Sequence, residues 1–229
     1  MEVQQATRGL EALNAIKASP PDLLILDAML PELHGFDITQ KVKSSERYSR
    51  IPIVMVSSVY RGWRIAEDLK TSYRIEAFLE KPFKINTLWT TVERVLAAKP
   101  PAPKDEQNMA VSAYRAYKVG LERYQGDDIA GAIESFKEGL RIDPLSAKLH
   151  FQLGVLYLKR RGMVYQAMHA FEEAVRLAPD FFTAMRALAI LYQRKGFKNK
   201  AIDMWERAIR ACDDQKMAGK MRKHLLSLI

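Results

Sequence analysis

Three short runs in the first half of the chain end in side chains that together could handle a phosphoryl group. Asp27 follows the run LLIL, Ser57 closes the run IPIVMVS, and Lys81 follows FLE. A carboxylate can act as a nucleophile, a hydroxyl can donate to a phosphate oxygen, and an ammonium can stabilise developing negative charge. If the three runs are parallel strands, their carboxyl ends meet at one edge of a sheet, and we expect these side chains to lie close together there.

The segments around these residues predict the sheet that must position them. The runs at 23–26 and 51–58 are short and mostly apolar, which is typical of strands buried on both faces. Segments 8–19 and 85–98 carry apolar residues at helical spacing. The alternation of strand and helix predicts an α/β domain with a parallel sheet covered by helices on both faces.

The motifs LLILDAMLPELHGF, IPIVMVSS and FLEKPF, in this order and spacing, resemble the receiver domain of bacterial response regulators. The resemblance implies a flavodoxin-like fold over residues 1–97. It makes Asp27 the phospho-acceptor of a two-component system. It also places Ser57 at the switch hydroxyl, Lys81 at the lysine that contacts the phosphate, and Phe78 at the switch aromatic.

The resemblance further implies a Mg²⁺ site beside the acceptor, of which this chain supplies only a part. Asp27 and the backbone carbonyl of Met29 match two ligands of the family. The family's pair of acids belongs to a first strand and helix that we expect this chain to lack, since its start, MEVQQATRGLEAL, resembles the second strand and second helix. We therefore expect Mg²⁺ to bind weakly or not at all, and phosphorylation of Asp27 to be impaired in this chain.

The missing strand would lie at the centre of the family's sheet, so its absence leaves an unpaired strand edge. We consider three ways in which the gap could be filled. The natural protein could be longer than this chain, a second copy of the chain could pair there as a homodimer, or the segment 2–6 could supply the strand.

A proline-rich seam, AAKPPAPKDEQ, divides the chain into two parts. Closely spaced prolines cannot continue a helix and favour a stiff, extended spacer. After the seam only helical patterns are found. We therefore predict a receiver-like domain at 1–97, truncated at its N-terminus, a linker at 98–107 and an all-α domain at 108–229.

The second part repeats a pattern of small and aromatic residues at intervals of 34 or 35 residues. The repeated positions are Gly120, Gly154 and Ala189 for the small residue, and Phe136, Phe171 and Trp205 for the aromatic one. The pattern is similar to the tetratricopeptide repeat (TPR), in which small residues let the two helices of a hairpin approach and aromatic residues fill the space between hairpins. We predict three repeats and, from QKMAGKMRKHLLSLI, a helix that caps the last one; a basic amphipathic helix at a membrane surface is the alternative.

TPR superhelices present a concave groove lined by the first helix of each hairpin, and the resemblance assigns this groove to specific residues. They are Tyr114, Tyr117, Leu121, Tyr124, Lys148, Phe151, Val155, Leu158, Lys159, Arg186, Ile190, Gln193 and Arg194. The set mixes aromatic side chains with cations and contains no acid. It predicts a protein partner that presents an extended apolar and acidic segment, with a free C-terminus as one form of it. The alternative for Tyr114 and Tyr117 is coverage by the receiver half or by a neighbouring chain.

Charge and composition narrow the class of partner. Residues 107–229 hold 21 Lys and Arg against 13 Asp and Glu, whereas residues 1–97 hold 13 against 12, so the basic character belongs to the second part. Nucleic acid is the alternative partner of this basic part, but no helix-turn-helix or zinc signature supports it. No apolar run is long enough to span a bilayer, and the single cysteine fits a reducing bacterial cytoplasm.

These observations predict a non-enzymatic adaptor of two-component signalling. A receiver module would dock to a sensor histidine kinase, and a TPR module would bind a protein partner. A pseudo-receiver scaffold that works without phosphorylation is the alternative. An enzyme is not expected, because the four histidines show neither metal-ligand spacing nor a paired nucleophile.

Overall fold

The computed structural model describes residues 2–60, 62–98 and 106–228. Most of the predicted linker at 98–107 therefore lies outside the described residues. The chain divides into two compact units. The first contains residues 1–115 and 139–145, and the second contains residues 116–138 and 146–229.

The first unit is built from alternating helices and parallel strands. Its elements are α1 (Gly9–Ala18), β1 (Leu24–Asp27), α2 (Gly35–Ser44), β2 (Ile53–Ser57), α3 (Trp63–Tyr73), β3 (Ala77–Glu80) and α4 (Ile85–Ala97). The strands form one parallel sheet in the order β1-β2-β3. The predicted alternation of strands and helices is thus found, and β2 is buried at all five of its residues, as its continuous apolar sequence requires.

The unpaired edge expected from the missing strand is also found. Among the described residues, β1 pairs with β2 alone and lies at the edge of the sheet. Residues 2–6 form no strand, so the suggestion that this segment fills the gap is wrong. The segment EVQQA is rich in polar residues and gains little from being buried beside β1. Accordingly, Ile25 in the middle of β1 remains 48% exposed.

A buried lysine joins the elements on one side of this unit. Lys43 at the end of α2 is 6% exposed, and its ammonium donates to the carbonyl oxygen of Ile51 at 3.0 Å and to Oε1 of Glu76 at 2.8 Å. The other oxygen of Glu76 accepts the backbone N–H of Ile53 at 2.6 Å. A buried charge needs such partners, and here they link α2 to the beginnings of β2 and β3.

Residues 139–145 belong to the first unit through contacts with the turn that follows α2. The Ser45 hydroxyl donates to the carbonyl oxygen of Ile142 at 2.8 Å and accepts the N–H groups of Arg47 and Tyr48. Tyr48 is fully buried, and its hydroxyl donates to Oδ1 of Asp143 at 3.5 Å. Ser45 thus caps its own turn and binds a segment 97 residues further along the chain.

The rest of the chain is helical. The helices are α5 (Glu106–Gln125), α6 (Ile129–Ile142), α7 (Ala147–Lys159), α8 (Val164–Leu177), α9 (Phe182–Arg194), α10 (Lys198–Arg210) and α11 (Gln215–Leu226). The boundaries between the two units fall inside α5, inside α6 and just before α7. In the second unit, α7 packs on α8, α8 on α9, α9 on α10 and α10 on α11, which is a series of helical hairpins followed by one more helix.

The repeated small residues lie where two helices of a hairpin touch. A Cβ atom added to Gly120 would come within 2.3 Å of Cε1 of Phe136, and one added to Gly154 within 2.7 Å of Cε1 of Phe171. Both rings are fully buried. The glycine thus makes room for the aromatic ring of the facing helix, which is the packing that the sequence pattern predicts.

Candidate functional site

Two of the three side chains expected at the edge of the sheet meet there. Asp27 is the last residue of β1, and Lys81 directly follows β3. The Lys81 ammonium donates to Oδ2 of Asp27 at 2.6 Å, and the backbone N–H of Met29 donates to Oδ1 at 2.9 Å. The side chains of Lys81 and Asp27 are 39% and 32% exposed, so the pair can be reached from solvent.

Ser57 lies at the same edge, but its hydroxyl is engaged in a turn. It is the last residue of β2 and is fully buried. Its Oγ accepts the backbone N–H groups of Val59 at 3.1 Å and Tyr60 at 3.3 Å, and its carbonyl oxygen accepts the N–H of Lys81 at 2.8 Å. The backbone therefore ties Ser57 to Lys81, while the hydroxyl stabilises the loop after β2.

Aromatic residues near this edge include Phe78, whose role as a switch aromatic stays a prediction, and a separate cluster. Phe78 is partly buried within β3, where its register partner is Met55. Phe36, at the start of α2, packs edge-on against Tyr60 at 5.2 Å and also contacts Tyr73 at 4.7 Å between ring centroids. The sequence reasoning did not identify this cluster, because its members come from three separate segments with no shared periodicity.

A glycine allows α2 to begin directly beside the acceptor residue. A Cβ atom on Gly35 would lie 2.2 Å from the carbonyl oxygen of Asp27, and the N–H of Gly35 donates to the carbonyl oxygen of Ala28 at 3.0 Å. Only a residue without a side chain fits this contact. The position of Gly35 in the motif thus follows from the approach of α2 to the end of β1.

The oxygen ligands at this edge do not make a magnesium site. Mg²⁺ prefers six oxygen ligands in octahedral geometry and is usually held by carboxylates. Asp27 offers one carboxylate, of which Oδ2 is bound by an ammonium and Oδ1 by an N–H group. Within the described part of the chain, no group of three or more His, Cys, Asp or Glu could hold a metal ion. The residues present therefore do not fit the ion that the resemblance implies.

In the repeat unit, the first helices of successive hairpins end at corresponding residues. Tyr124, Lys159 and Arg194 are 35 residues apart and lie at the ends of α5, α7 and α9. The Lys159 ammonium lies 4.9 Å from the centroid of the Tyr124 ring, and a hydrogen bond with the Tyr124 hydroxyl raises the pKa of Lys159. This contact joins the first helices of two successive hairpins.

The other residues assigned to the groove differ in exposure. The exposed ones are Tyr114, Lys148, Leu158 and Arg186, and the partly buried ones are Tyr117, Leu121, Phe151, Val155, Ile190 and Gln193. Tyr114 belongs to the first compact unit, whereas the others belong to the second. Phe151 contacts the rings of Phe171 and Phe181 at 5.5 and 5.1 Å, so it contributes to the core as well as to the surface.

An open cleft of about 470 Å³ lies in the last part of the repeat unit. It is lined by Ile190, Gln193, Arg194, Trp205 and His224. Oε1 of Gln193 and Nε2 of His224 are 2.9 Å apart, and the His224 ring packs edge-on against Trp205 at 5.1 Å. The sequence reasoning placed Ile190, Gln193 and Arg194 on the groove but missed Trp205 and His224.

Comparison with known proteins supports the two-part organisation. Residues 1–93 match the family model of the response regulator receiver domain, and residues 120–160 match that of the TPR repeat. The chain is 28% identical over 95 residues to the polar-differentiation response regulator DivK of Brucella ovis, covering 42% of this chain and 76% of DivK. The prediction of a receiver-like α/β domain followed by tetratricopeptide repeats is thus confirmed.

Two further similarities extend over more of the chain. The chain is 22% identical over 179 residues to the DNA-binding dual master transcriptional regulator RpaA of Synechocystis, covering 78% of this chain and 69% of that protein. The solved structure of the first TPR of Spaghetti (RPAP3) bound to an HSP90 peptide superposes with a TM-score of 0.45 at 17% identity, covering 51% of this chain and 93% of that one.

None of the helices in the described part of the chain combines the length and the apolar character needed to cross a membrane.

Proposed function

We propose that this chain is a non-enzymatic adaptor of two-component signalling, in which the receiver-like unit takes up a signal and the repeat unit binds a protein partner. The ion pair between Asp27 and Lys81 supports this proposal most directly, because it unites a nucleophile and a cation at the carboxyl edge of a parallel sheet. A receiver-like unit and TPR repeats in one chain combine an input module with an interaction module.

The input side would depend on contact with a sensor histidine kinase, with Asp27 as the phospho-acceptor. In this chain we propose that phosphorylation is impaired. The acceptor carboxylate is held by Lys81 and by the N–H of Met29, and the neighbouring groups among the described residues do not complete a Mg²⁺ site. In receiver domains that ion neutralises charge on the incoming phosphoryl group.

The output side would be Tyr124, Lys159 and Arg194 together with the apolar side chains beside them. The ring and the two cations suit a partner segment that alternates apolar and acidic side chains. The contact of Lys159 with Tyr124 holds the long lysine side chain in place before a partner binds, which lowers the entropy lost on binding.

A scaffold that works without phosphorylation is the second candidate. The engaged carboxylate of Asp27 and the incomplete ligand set favour it. The two candidates differ in one measurable respect once a sensor histidine kinase is added. In a phosphorylation-dependent adaptor the wild type and Asp27→Ala then bind the partner differently, whereas in a scaffold they bind it equally.

The experiment has two steps, both with the full chain. Intact-mass spectrometry after incubation with acetyl phosphate and Mg²⁺ should show no adduct of one phosphoryl group, and Asp27→Asn serves as the control of identical fold. A clear adduct that Asp27→Asn abolishes would show that phosphorylation is not impaired.

The second step tests the adaptor function itself. An array of extended apolar and acidic peptides is probed with wild type and with Lys159→Gln. Binding that falls in Lys159→Gln supports the repeat groove as the output side. An array on which no peptide binds, combined with a shift of duplex DNA at physiological salt, would replace this function by nucleic-acid binding, in keeping with the name of RpaA.

A further inference from the structure

Trp205 carries a polar group that has no hydrogen-bond partner among the described residues. The residue is 5% exposed, and its indole Nε1 is one of two buried side-chain nitrogens in the described part of the chain that have no hydrogen-bond partner. A buried N–H group without an acceptor destabilises a fold, and most such groups are paired. We therefore looked for a role of the buried Trp205 N–H group other than packing.

Packing at the position of Trp205 requires an aromatic ring but does not require an N–H group. Phe136 and Phe171 occupy the corresponding positions of the other two repeats, and each fills its hairpin with a fully buried apolar ring. Trp205 carries an N–H group in addition to its ring, and it lines the cleft described above. The indole N–H is therefore the feature that distinguishes the third hairpin from the first two.

The helices on either side of the cleft carry positive charge without negative charge. Helix α9 contains Arg186 and Arg194, and α11 contains Lys216, Lys220, Arg222 and Lys223; neither helix contains Asp or Glu. Helix α10, which carries Trp205, has two acids: Glu206 lies 3.9 Å from Arg210, and Asp203 interacts with Tyr192. The surroundings of the cleft are thus suited to an anionic segment.

We propose that this cleft binds a side-chain carboxylate of an acidic, extended peptide segment, with the Trp205 N–H and the Arg194 guanidinium as its two donors. The inference rests on the proposed function of the repeat unit as a peptide-binding module and names the site and the chemistry of the partner. Several cations along two acid-free helices match a segment with several carboxylates better than a single terminal one. Ile190 supplies an apolar surface for the neighbouring side chain of the peptide.

The His224 ring packs edge-on against the Trp205 ring at 5.1 Å, and in our proposal it turns aside so that the carboxylate reaches the N–H. His224 is exposed, and its ring nitrogen Nε2 is hydrogen-bonded to Oε1 of Gln193 at 2.9 Å. A change of rotamer at an exposed residue therefore costs little more than this one hydrogen bond. Binding would then replace the contact of the His224 ring with the indole by a hydrogen bond from the indole N–H to a carboxylate. Hydrogen bonds to such a charged acceptor are stronger than those to a neutral one.

The indole proton gives a direct readout of this site. The chain has three tryptophans, and Trp205→Phe assigns the side-chain N–H resonance of Trp205 in a proton–nitrogen NMR spectrum of the full chain. The probe is the hexapeptide LELELE, acetylated and amidated, with LQLQLQ as its uncharged counterpart. We expect LELELE to shift the Trp205 resonance in a saturable way and LQLQLQ to leave it in place.

Three variants then separate the donors from general charge. Trp205→Phe should weaken binding of LELELE about tenfold, because it removes a hydrogen bond to a charged group and keeps the ring type of the other repeats. Arg194→Gln should weaken it about threefold or more. Arg210→Gln removes the same charge at an ion pair that does not line the cleft and should change affinity less than twofold, roughly the effect of an exposed pair.

The outcomes distinguish this inference from the proposed function. If LELELE binds with the Trp205 resonance unmoved and with equal affinity for Trp205→Phe, the groove binds peptides but this site is refuted. Equal binding of LQLQLQ with a free C-terminus would assign the cleft to a terminal carboxylate and overturn the side-chain assignment. No binding of LELELE at millimolar concentration overturns the inference, while the adaptor function is judged by its own peptide array.

Discussion

The ammonium of Lys81 lies 2.6 Å from the carboxylate of Asp27, although 54 residues separate the two in sequence. The parallel sheet makes this meeting possible, because β1 and β3 both end at the edge where β2 ends. Two opposite charges at a partly exposed edge can interact without the cost of full burial. The pair therefore costs the fold little and leaves both groups accessible.

From this exposure we predict that the pair contributes little to stability. Replacing Lys81 with Met should lower the free energy of unfolding by about 1 kcal/mol or less, since exposed ion pairs contribute about 0–1 kcal/mol. Urea unfolding followed by circular dichroism measures the change. Lys70→Met, which breaks the surface pair of Lys70 with Glu67, is the matched control and should behave alike. A loss above about 2 kcal/mol for Lys81→Met alone would mean that the pair organises the edge of the sheet.

The buried pair of Lys43 and Glu76 should respond differently to the loss of each partner. Glu76→Ala leaves a buried ammonium with one acceptor, the carbonyl of Ile51, and should cost about 3–5 kcal/mol. Lys43→Met leaves Glu76, whose side chain is 38% exposed and can still be solvated, so it should cost about 1–3 kcal/mol. Unfolding curves of both variants and of the double variant measure the difference. A ranking in the opposite order would contradict the assigned burial.

The sequence predicted the parts of the fold that depend on periodicity and on the shared edge of a parallel sheet. Asp27 and Lys81 meet as expected because the carboxyl ends of parallel strands lie at the same edge of the sheet, independently of the loop conformations. The hydrogen bonds of the Ser57 hydroxyl with Val59 and Tyr60 were not predictable. A serine hydroxyl can donate or accept in several directions, and the conformation of the loop after β2 determines which partners it finds. Residues 2–6 form no strand. They resemble the family's second strand, but a strand forms only where a neighbouring strand is present to pair with it.

The cleft at Trp205 likewise depends on contacts between helices that the repeat pattern does not predict. The repeat pattern identified Trp205 as a core aromatic, and it is indeed buried. What the pattern could not show is that α11 brings His224 against the ring and that, within the described part of the chain, the indole nitrogen has no acceptor. The exchange of phenylalanine for tryptophan at one of three equivalent positions was the available signal, and it is visible only by comparing the repeats.

The close packing of glycines in the hairpins gives a third prediction. Gly154→Ala should lower stability by about 1–3 kcal/mol, because the added Cβ would lie 2.7 Å from a Phe171 ring that is fully buried. The better helix propensity of alanine, about 1 kcal/mol, is not enough to offset the clash. Thermal melting of the purified variant measures the loss.

Gly219→Ala in α11 is the matched control, because its added Cβ atom would have no atom of another described element within 4 Å. It makes the same chemical change in a helix and should stabilise the chain by about 0.5–1 kcal/mol. If Gly154→Ala melts at or above the temperature of Gly219→Ala, the hairpin contact is not as close as the structure shows.

The buried hydroxyl of Tyr192 predicts a loss of stability at alkaline pH. Burial, and next the hydrogen bond that this hydroxyl donates to Oε1 of Glu172 at 2.5 Å, raises the pKa of Tyr192. The unfolded chain releases this proton near pH ~10, whereas the folded chain holds it to higher pH. The contribution of Tyr192 to stability is therefore fully present below pH ~10 and is lost as the pH rises through the folded-state pKa.

Tyr192→Phe isolates this effect from other groups that titrate in the same range. At neutral pH the variant should be about 1–2 kcal/mol less stable than the wild type, because it loses a buried hydrogen bond to a charged group. This difference should stay constant up to pH ~9 and shrink above pH ~10. Urea unfolding of wild type and Tyr192→Phe, at several pH values from neutral to alkaline, measures this difference in stability.

Glu172→Gln keeps an acceptor for the Tyr192 hydroxyl and should retain most of the loss of stability at alkaline pH, since burial is the larger cause of the raised pKa. A difference between wild type and Tyr192→Phe that stays constant or grows above pH ~10 would show that the Tyr192 proton is not held more tightly in the folded chain.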